Sequence, residues 1–196
     1  MQTYPARAVI DLDAIAANVR TLDAGTSAQV MAVVKADGYG HGLVPAARAA
    51  RRGGAAWLGA AQVVEAIELR AAGDTGRILT WLYAPGAPLR EAVEADVDVA
   101  VAAPWNVEAL VTAAREAGRT ARVHLKVDTG LGRNGLTPAQ LPEVLRAVMR
   151  AQAEGALAVV GVFSHFAFAD APSHPTVLGQ AAEFARAVEA VERAGA

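Results

Sequence analysis

The sequence predicts an α/β fold built on a parallel sheet, and three observations carry that expectation. Short runs rich in Val, Ile, Leu and Ala recur at 30–34, 55–60, 77–82, 97–102, 122–127 and 157–164. Their starts lie 20 to 35 residues apart, room for a helix and its loops between neighbours. Most runs are nearly continuous in apolarity, as parallel strands covered on both faces must be.

The intervening segments read as helices. After the second run, Val63, Val64, Ile67 and Ala71 fall at helical spacing, and Gly73 sits where a helix stops. After the fifth, Thr137, Pro138 and Gln140 supply a capping hydroxyl, a proline at the first helical position and a glutamine three residues past the cap. A last helix is expected over about 176–193, with Phe184, Val188 and Val191 on one side. Spacing fits a barrel and a doubly wound sheet equally. A closed eight-stranded barrel takes about 250 residues. Six units in 196 residues therefore mean an open sheet or a barrel that stops before closure.

Composition narrows the function classes. The net charge of −2 offers no general field for nucleic acid or anionic membrane. With no cysteine, disulfides, thiolate metal sites and cysteine nucleophiles are excluded. Residues 1–13 include Asp11 and Asp13 and lack the basic-then-apolar order of a signal peptide. No uncharged apolar stretch nears the roughly 20 residues needed to span a bilayer. The expectation is a cytoplasmic protein without nucleic-acid or membrane partners.

The first run ends at Lys35, at the carboxyl edge of the sheet where α/β folds place their sites. A partly desolvated amine there can form a Schiff base or carry a proton. A lysine merely snorkelling from a strand end fits the same position. Gly38, Gly40 and Gly42 follow, which would let the backbone approach a ligand closely. Gly130, Gly132 and Gly135 spell a dinucleotide fingerprint after the fifth run. The helix start lies beyond the third glycine and the unit is not the first, so an anion-binding turn is the better reading. His165, Asp170 and His174 could be drawn as a metal cluster, but no further ligand spacing supports it. No metal is expected. His41 and His124 read as structural.

The string Val34-Lys35-Ala36-Asp37-Gly38-Tyr39-Gly40-His41-Gly42 closely resembles the pyridoxal-phosphate attachment motif of alanine racemases. Val9 to Asp13 with Asn18, Leu58-Gly59 with Glu65 to Arg70, His124 to Arg133 and Gly161 to Asp170 resemble further motifs of that family, in order. The resemblance implies a (β/α)8 TIM-barrel domain of which about six units are present over 1–196. The last two strands and a carboxyl-terminal β-domain would then lie outside the chain. It implies pyridoxal 5'-phosphate as cofactor, with Lys35 as the amine that binds its aldehyde and as a catalytic base. Tyr39 would hold the phosphate, and Arg133 the ring oxygen and the substrate carboxylate. Lys126 matches a lysine that is often carbamylated and orients that arginine; the change of charge would relieve repulsion between two cations. His165 would support an arginine facing the pyridine nitrogen.

By the same resemblance the full protein interconverts L- and D-alanine for cell-wall precursors as a homodimer. Its second base, a tyrosine of the partner, is absent from this chain, so little activity is expected from these residues alone. A non-catalytic single-barrel pyridoxal-phosphate protein and a barrel-type amino-acid decarboxylase are the alternatives. Phe168 departs from the family pattern, which usually has a small polar residue there.

Overall fold

The computed structural model describes residues 6–196. Residues 1–5, part of the stretch read above for a signal peptide, lie outside the described residues. Helix α1 (Leu12–Ala24) starts at Asp11, whose Oδ1 accepts the N–H groups of Asp13 and Ala14 at 3.0 Å. Then follow β1 (Met31–Val33), α2 (Lys35–Gly40), α3 (Leu43–Arg52), β2 (Trp57–Gln62), α4 (Val63–Ala71) and β3 (Arg77–Leu82). The second half comprises α5 (Leu89–Glu94), β4 (Asp98–Val101), α6 (Pro104–Ala117), β5 (Ala121–Lys126), α7 (Leu141–Ala153), β6 (Leu157–Phe163) and α8 (Pro175–Arg193).

The strands form one parallel sheet in the order β1-β2-β3-β4-β5-β6. This order decides between the two architectures that spacing left open. A doubly wound sheet reverses its direction of growth at a switch point. Here every crossover adds the next strand on the same side, which for right-handed connections keeps all helices on one face. The chain is thus six consecutive units of a barrel wall. The core lies between that wall and its helices, where Leu58, Ile78, Val99, Val123 and Leu125 meet Leu69, Leu110, Val144 and Val148. No helix among the described residues is long and apolar enough to cross a membrane.

Burial follows position in the sheet. All four residues of β4 are buried, whereas Val33 on β1 and Val160 on β6 are each 39% exposed. An edge strand has a neighbour on only one side.

Alternation gives the wall a second, polar face. Asp98 is fully buried there and accepts hydrogen bonds from Arg77 at 3.0 Å and from Arg122, with His124 Nε2 also 3.0 Å away. Arg77 lies over the Trp57 ring at 5.0 Å, and Trp57 meets His124 edge-on at 5.5 Å. Gly161 leaves room for the imidazole; a Cβ there would overlap the His124 ring. The sequence reading of His124 as structural fits this placement.

Two expectations need correction and a third is met. The buried side of α4 is Val63, Ala66 and Leu69, while Val64 is 54% exposed and Ala71 also faces solvent. Alanine rather than valine fills the tight approach to the sheet, so hydrophobicity alone tilted the predicted face. Helix α7 starts at Leu141, not 138. The Thr137 and Gln140 capping bonds do form, but they close an isolated turn over 137–140. Pro142 has no N–H to return to Pro138, which separates that turn from the helix. In α8 the expected side does face inward: Val191 is buried and Phe184 and Val188 are half-buried, beside Val177, Gln180 and Ala187.

Candidate active site

Lys35 leaves β1 directly into α2, and this turn has the opposite hand to every other helix. Ala36, Asp37, Gly38 and Tyr39 have φ of 55°, 55°, 62° and 56°. Left-handed geometry costs roughly 1–2 kcal/mol for each residue bearing a Cβ, so the turn holds only because its surroundings dictate it. Gly38 N–H donates to Val34 O at 2.8 Å, Leu43 N–H to Asp37 Oδ1 at 2.7 Å, and Ala36 N–H to Glu65 Oε1 at 2.6 Å. His41 Nδ1 lies 2.7 Å from Gly38 O, consistent with a structural role. A Cβ on Gly38 would come within 2.9 Å of Ala46 Cβ. That glycine serves close packing on α3, rather than the approach to a ligand that its spacing suggested.

The turn opens on a cavity of about 390 Å³ at the carboxyl edge of the sheet, lined by Lys35, Lys126, Arg133, Asn134, Tyr83 and Trp105 among others. Of the 18 basic side chains in the sequence, only Lys35 and Lys126 are lysines. Both face this cavity. Neither they nor Arg133 forms an ion pair with a carboxylate among the described residues. Three cations thus share a pocket that lacks a paired anion.

The electrostatics follow from that concentration. Burial, then the charges of Arg133 and Lys35, holds the Lys126 ammonium below the ordinary lysine range, with Asp128 opposing. Its Nζ lies 5.8 Å from the centre of the Phe163 ring. His165 sits just past β6 and is exposed. Partial burial and the charges of Arg133, Lys126 and Lys35 push its pKa down, so it belongs to the same field without lining the cavity. Tyr39 is 58% exposed, with Lys35 Nζ 5.7 Å from its ring centre.

The depressed pKa of Lys126 has a measurable consequence. Between that lowered value and the ordinary lysine value of about 10.4, the unfolded chain binds more protons than the folded one. Stability against urea should therefore gain a favourable increment from this residue as pH rises through that window, and lose it below. Lys126→Met is expected to flatten that part of the pH profile. A variant profile parallel to the wild type from about pH 7 to pH 10 would contradict this.

Asp128 explains the glycine fingerprint. Its Oδ1 accepts the N–H groups of Gly130 at 2.9 Å and Gly132 at 3.1 Å, so the amides read as an anion-binding turn already hold a carboxylate of the chain. Gly135 lets the loop fold back: a Cβ there would lie 2.8 Å from Asp128 N, and Leu136 exchanges backbone bonds with Lys126 and Asp128 at 2.8 Å. The ring of His174 stacks on Phe168 at 4.3 Å, and its Nδ1 caps α8 by accepting Thr176 N–H. Among the described residues no group of three or more His, Asp or Glu could hold a metal ion.

Several site residues carried no local signal. Tyr83 packs edge-on against Trp105 at 5.5 Å and donates its hydroxyl to Ala100 O at 2.7 Å. Burial pushes its phenol well above the ordinary range, which removes it as a proton carrier near neutral pH. Its place one residue past a strand end was the available clue. Gln180 is buried on α8; its Oε1 accepts Ala167 N–H at 2.8 Å while Nε2 donates to His165 O at 3.1 Å and to Thr129 Oγ1 at 3.3 Å. It ties the His165 loop to the loop carrying Arg133. Gln180→Ala should cost about 2 kcal/mol, the scale of leaving buried polar groups unpaired. Faster amide exchange over 165–168 would accompany it, and a variant as stable as wild type would disprove this tie.

Residues 10–196 match the family model "Alanine racemase, N-terminal domain". The chain belongs to the alanine racemase family. It is 59% identical over 195 residues to an alanine racemase of Beutenbergia cavernae, covering 99% of this chain and 52% of that protein. It is 54% identical over 192 residues to that of Salinispora tropica, covering 98% and 52%. Among solved structures, the alanine racemase of D-cycloserine-producing Streptomyces lavendulae superposes with a TM-score of 0.93 at 55% identity, covering 95% of this chain and 49% of that one. The chain spans about half the length of the alanine racemases it matches, and its six units accord with the barrel wall of that family.

Proposed function

We propose that this chain is the cofactor-binding half of an alanine racemase, a pyridoxal-phosphate enzyme that interconverts L- and D-alanine. The observation that carries this reading is the cavity in which both lysines of the sequence and Arg133 converge without a paired carboxylate. Such a pocket suits an aromatic aldehyde bearing a phosphate: it offers a primary amine, aromatic walls and uncompensated positive charge. When bound, pyridoxal phosphate supplies the electron sink for charge left on the substrate Cα.

The chain's own residues take the remaining parts. Lys35 would hold the aldehyde through its amine and would carry a proton on one face of Cα. Arg133 would hold the substrate carboxylate and the ring oxygen of the cofactor. Tyr39 would hold the phosphate, and His165 would support the groups on the pyridine side. Carbamylation of Lys126 would convert a destabilised cation into an anion that steadies Arg133. The opposite face of Cα needs a second base, and Tyr83, with its raised pKa and committed hydroxyl, is unsuited to that part. A homodimeric cytoplasmic enzyme feeding cell-wall synthesis, with the second base on the partner subunit, completes the reading.

The test uses the two-lysine composition. The chain is incubated with pyridoxal phosphate, borohydride is added, and peptides are mapped by mass. Condensation of amine with aldehyde expels water, and hydride delivered to the C=N carbon fixes the product as a secondary amine. The label is expected on Lys35. Label on Lys126 alone, or on neither, overturns the assignment.

A further inference from the structure

Glu65 is the one residue outside α2 whose side chain bonds the residue next to Lys35, among the described residues. The backbone explains why a bond is needed there. The β1–β2 ladder runs upward to Val34 N–H, which donates to Gly59 O at 2.8 Å. The next rung would take Ala36 N–H to Ala61 O. That carbonyl instead accepts Thr80 Oγ1 at 3.0 Å, and Ala36 N–H turns to Glu65 Oε1 at 2.6 Å, 29 residues away. The other oxygen, Oε2, accepts Gln62 N–H at 2.9 Å at the start of α4.

One carboxylate therefore ends the strand, satisfies an N–H that the left-handed turn leaves orphaned, and fixes that turn to the adjacent β/α unit. Asp37 and His41, the other side chains that brace the turn, lie within or beside it in sequence. They stabilise its shape. Among the described residues, Glu65 is the side chain that ties the turn to the adjacent unit of the barrel wall.

We propose that Glu65 is a positioning residue for Lys35, holding the backbone at Ala36 so that the lysine amine enters the cavity poised for condensation. This rests on the reading of Lys35 as the cofactor amine. A carboxylate that merely caps α4 would affect stability and nothing else.

The experiment measures the initial rate of borohydride-trapped label on Lys35, with pyridoxal phosphate as the probe, in the wild-type chain and in Glu65→Ala, Glu65→Gln and Glu68→Ala. Far-ultraviolet circular dichroism monitors the fold. Glu65→Ala should slow labelling of Lys35 about tenfold, the scale of one lost charge-assisted hydrogen bond, and raise the share of label at Lys126. Glu65→Gln, which keeps a neutral acceptor for Ala36 N–H, should recover to within about two- to fivefold of wild type. Glu68→Ala, an exposed residue of the same helix, should match wild type. Equal Lys35 labelling in a folded Glu65→Ala chain overturns the proposal. If Glu65→Ala does not fold, Glu65→Met, which fills the space but offers Ala36 N–H no oxygen, takes its place, and wild-type labelling of Lys35 in the folded Glu65→Met chain overturns the proposal equally. Absence of label on Lys35 in the wild type overturns instead the assignment of Lys35 itself.

Discussion

Lys35→Ala is expected to remove most of the covalent capture of pyridoxal phosphate at the cavity. The expectation is sharp because the sequence holds a single other lysine. Lys126 is buried beside Phe163, with a pKa lowered by desolvation and by neighbouring cations. A neutral amine is the better nucleophile, so chemistry alone would make Lys126 a rival. Access opposes it: Lys35 is half-exposed at the cavity mouth, whereas Lys126 is 4% exposed. Trapped label in Lys35→Ala should fall below about a tenth of wild type, since no other amine in the cavity combines exposure with proximity. Undiminished label would place the cofactor amine elsewhere and remove the basis of the proposed function.

Asp98→Ala is expected to produce the largest loss of stability of any single substitution discussed. The carboxylate is fully buried and receives Arg77, Arg122 and His124 together. Deleting it leaves Arg77 and Arg122 facing one another across the inner surface of the wall, with Arg122 only 23% exposed and Asp96, at 3.1 Å, as its remaining partner. Removing one member of a buried charged cluster costs roughly 3–5 kcal/mol. Because both arginines keep some contact with water, the lower end of that range is expected. Urea unfolding would read this as a shift of midpoint at unchanged slope. Asp98→Asn should cost less, since an amide oxygen still accepts one of the donors. A loss under about 1 kcal/mol for Asp98→Ala would mean that water solvates the cluster, so that its net worth is that of a surface pair.

The two clusters divide the inner face. Asp98 and Asp96 together pair Arg77 and Arg122 at the amino-terminal end of the strands, where the network is closed. At the carboxyl edge, Lys35, Lys126 and Arg133 have no carboxylate ion-pair partner among the described residues. The same wall therefore holds a paired network at one end and an unpaired group of cations at the other. Strand β5 contributes to both, with Arg122 and His124 facing Asp98 and Lys126 facing the cavity.

Much of this was legible in the chain. Strand 77–82 coincides with β3, and the other five predicted runs overlap their strands within a few residues, because apolar runs and their spacing are local properties. The string around Lys35 and its likeness to the family's motif were legible for the same reason. The alternation of His124 with Lys126 was also visible. The buried face of α4 was not, because Ala66 and Val64 differ in hydrophobicity in the opposite sense to their burial. Shape at the sheet contact decided it.

The sequence by itself determined the β/α period, the place of Lys35 just past a strand end, and the glycine that follows α4. These follow from side-chain chemistry over a few residues. Only the tertiary structure decided that the strands run in sequential order, that the segment after Lys35 turns left-handed, and that Glu65, Gln180 and Asp98 reach partners 29, 51 and 26 residues away. No periodicity encodes such contacts. The Gln180 and Asp98 contacts form where packing leaves too little water to solvate their partners separately, and the Glu65 contact forms where the strand ladder ends and leaves an N–H to be met.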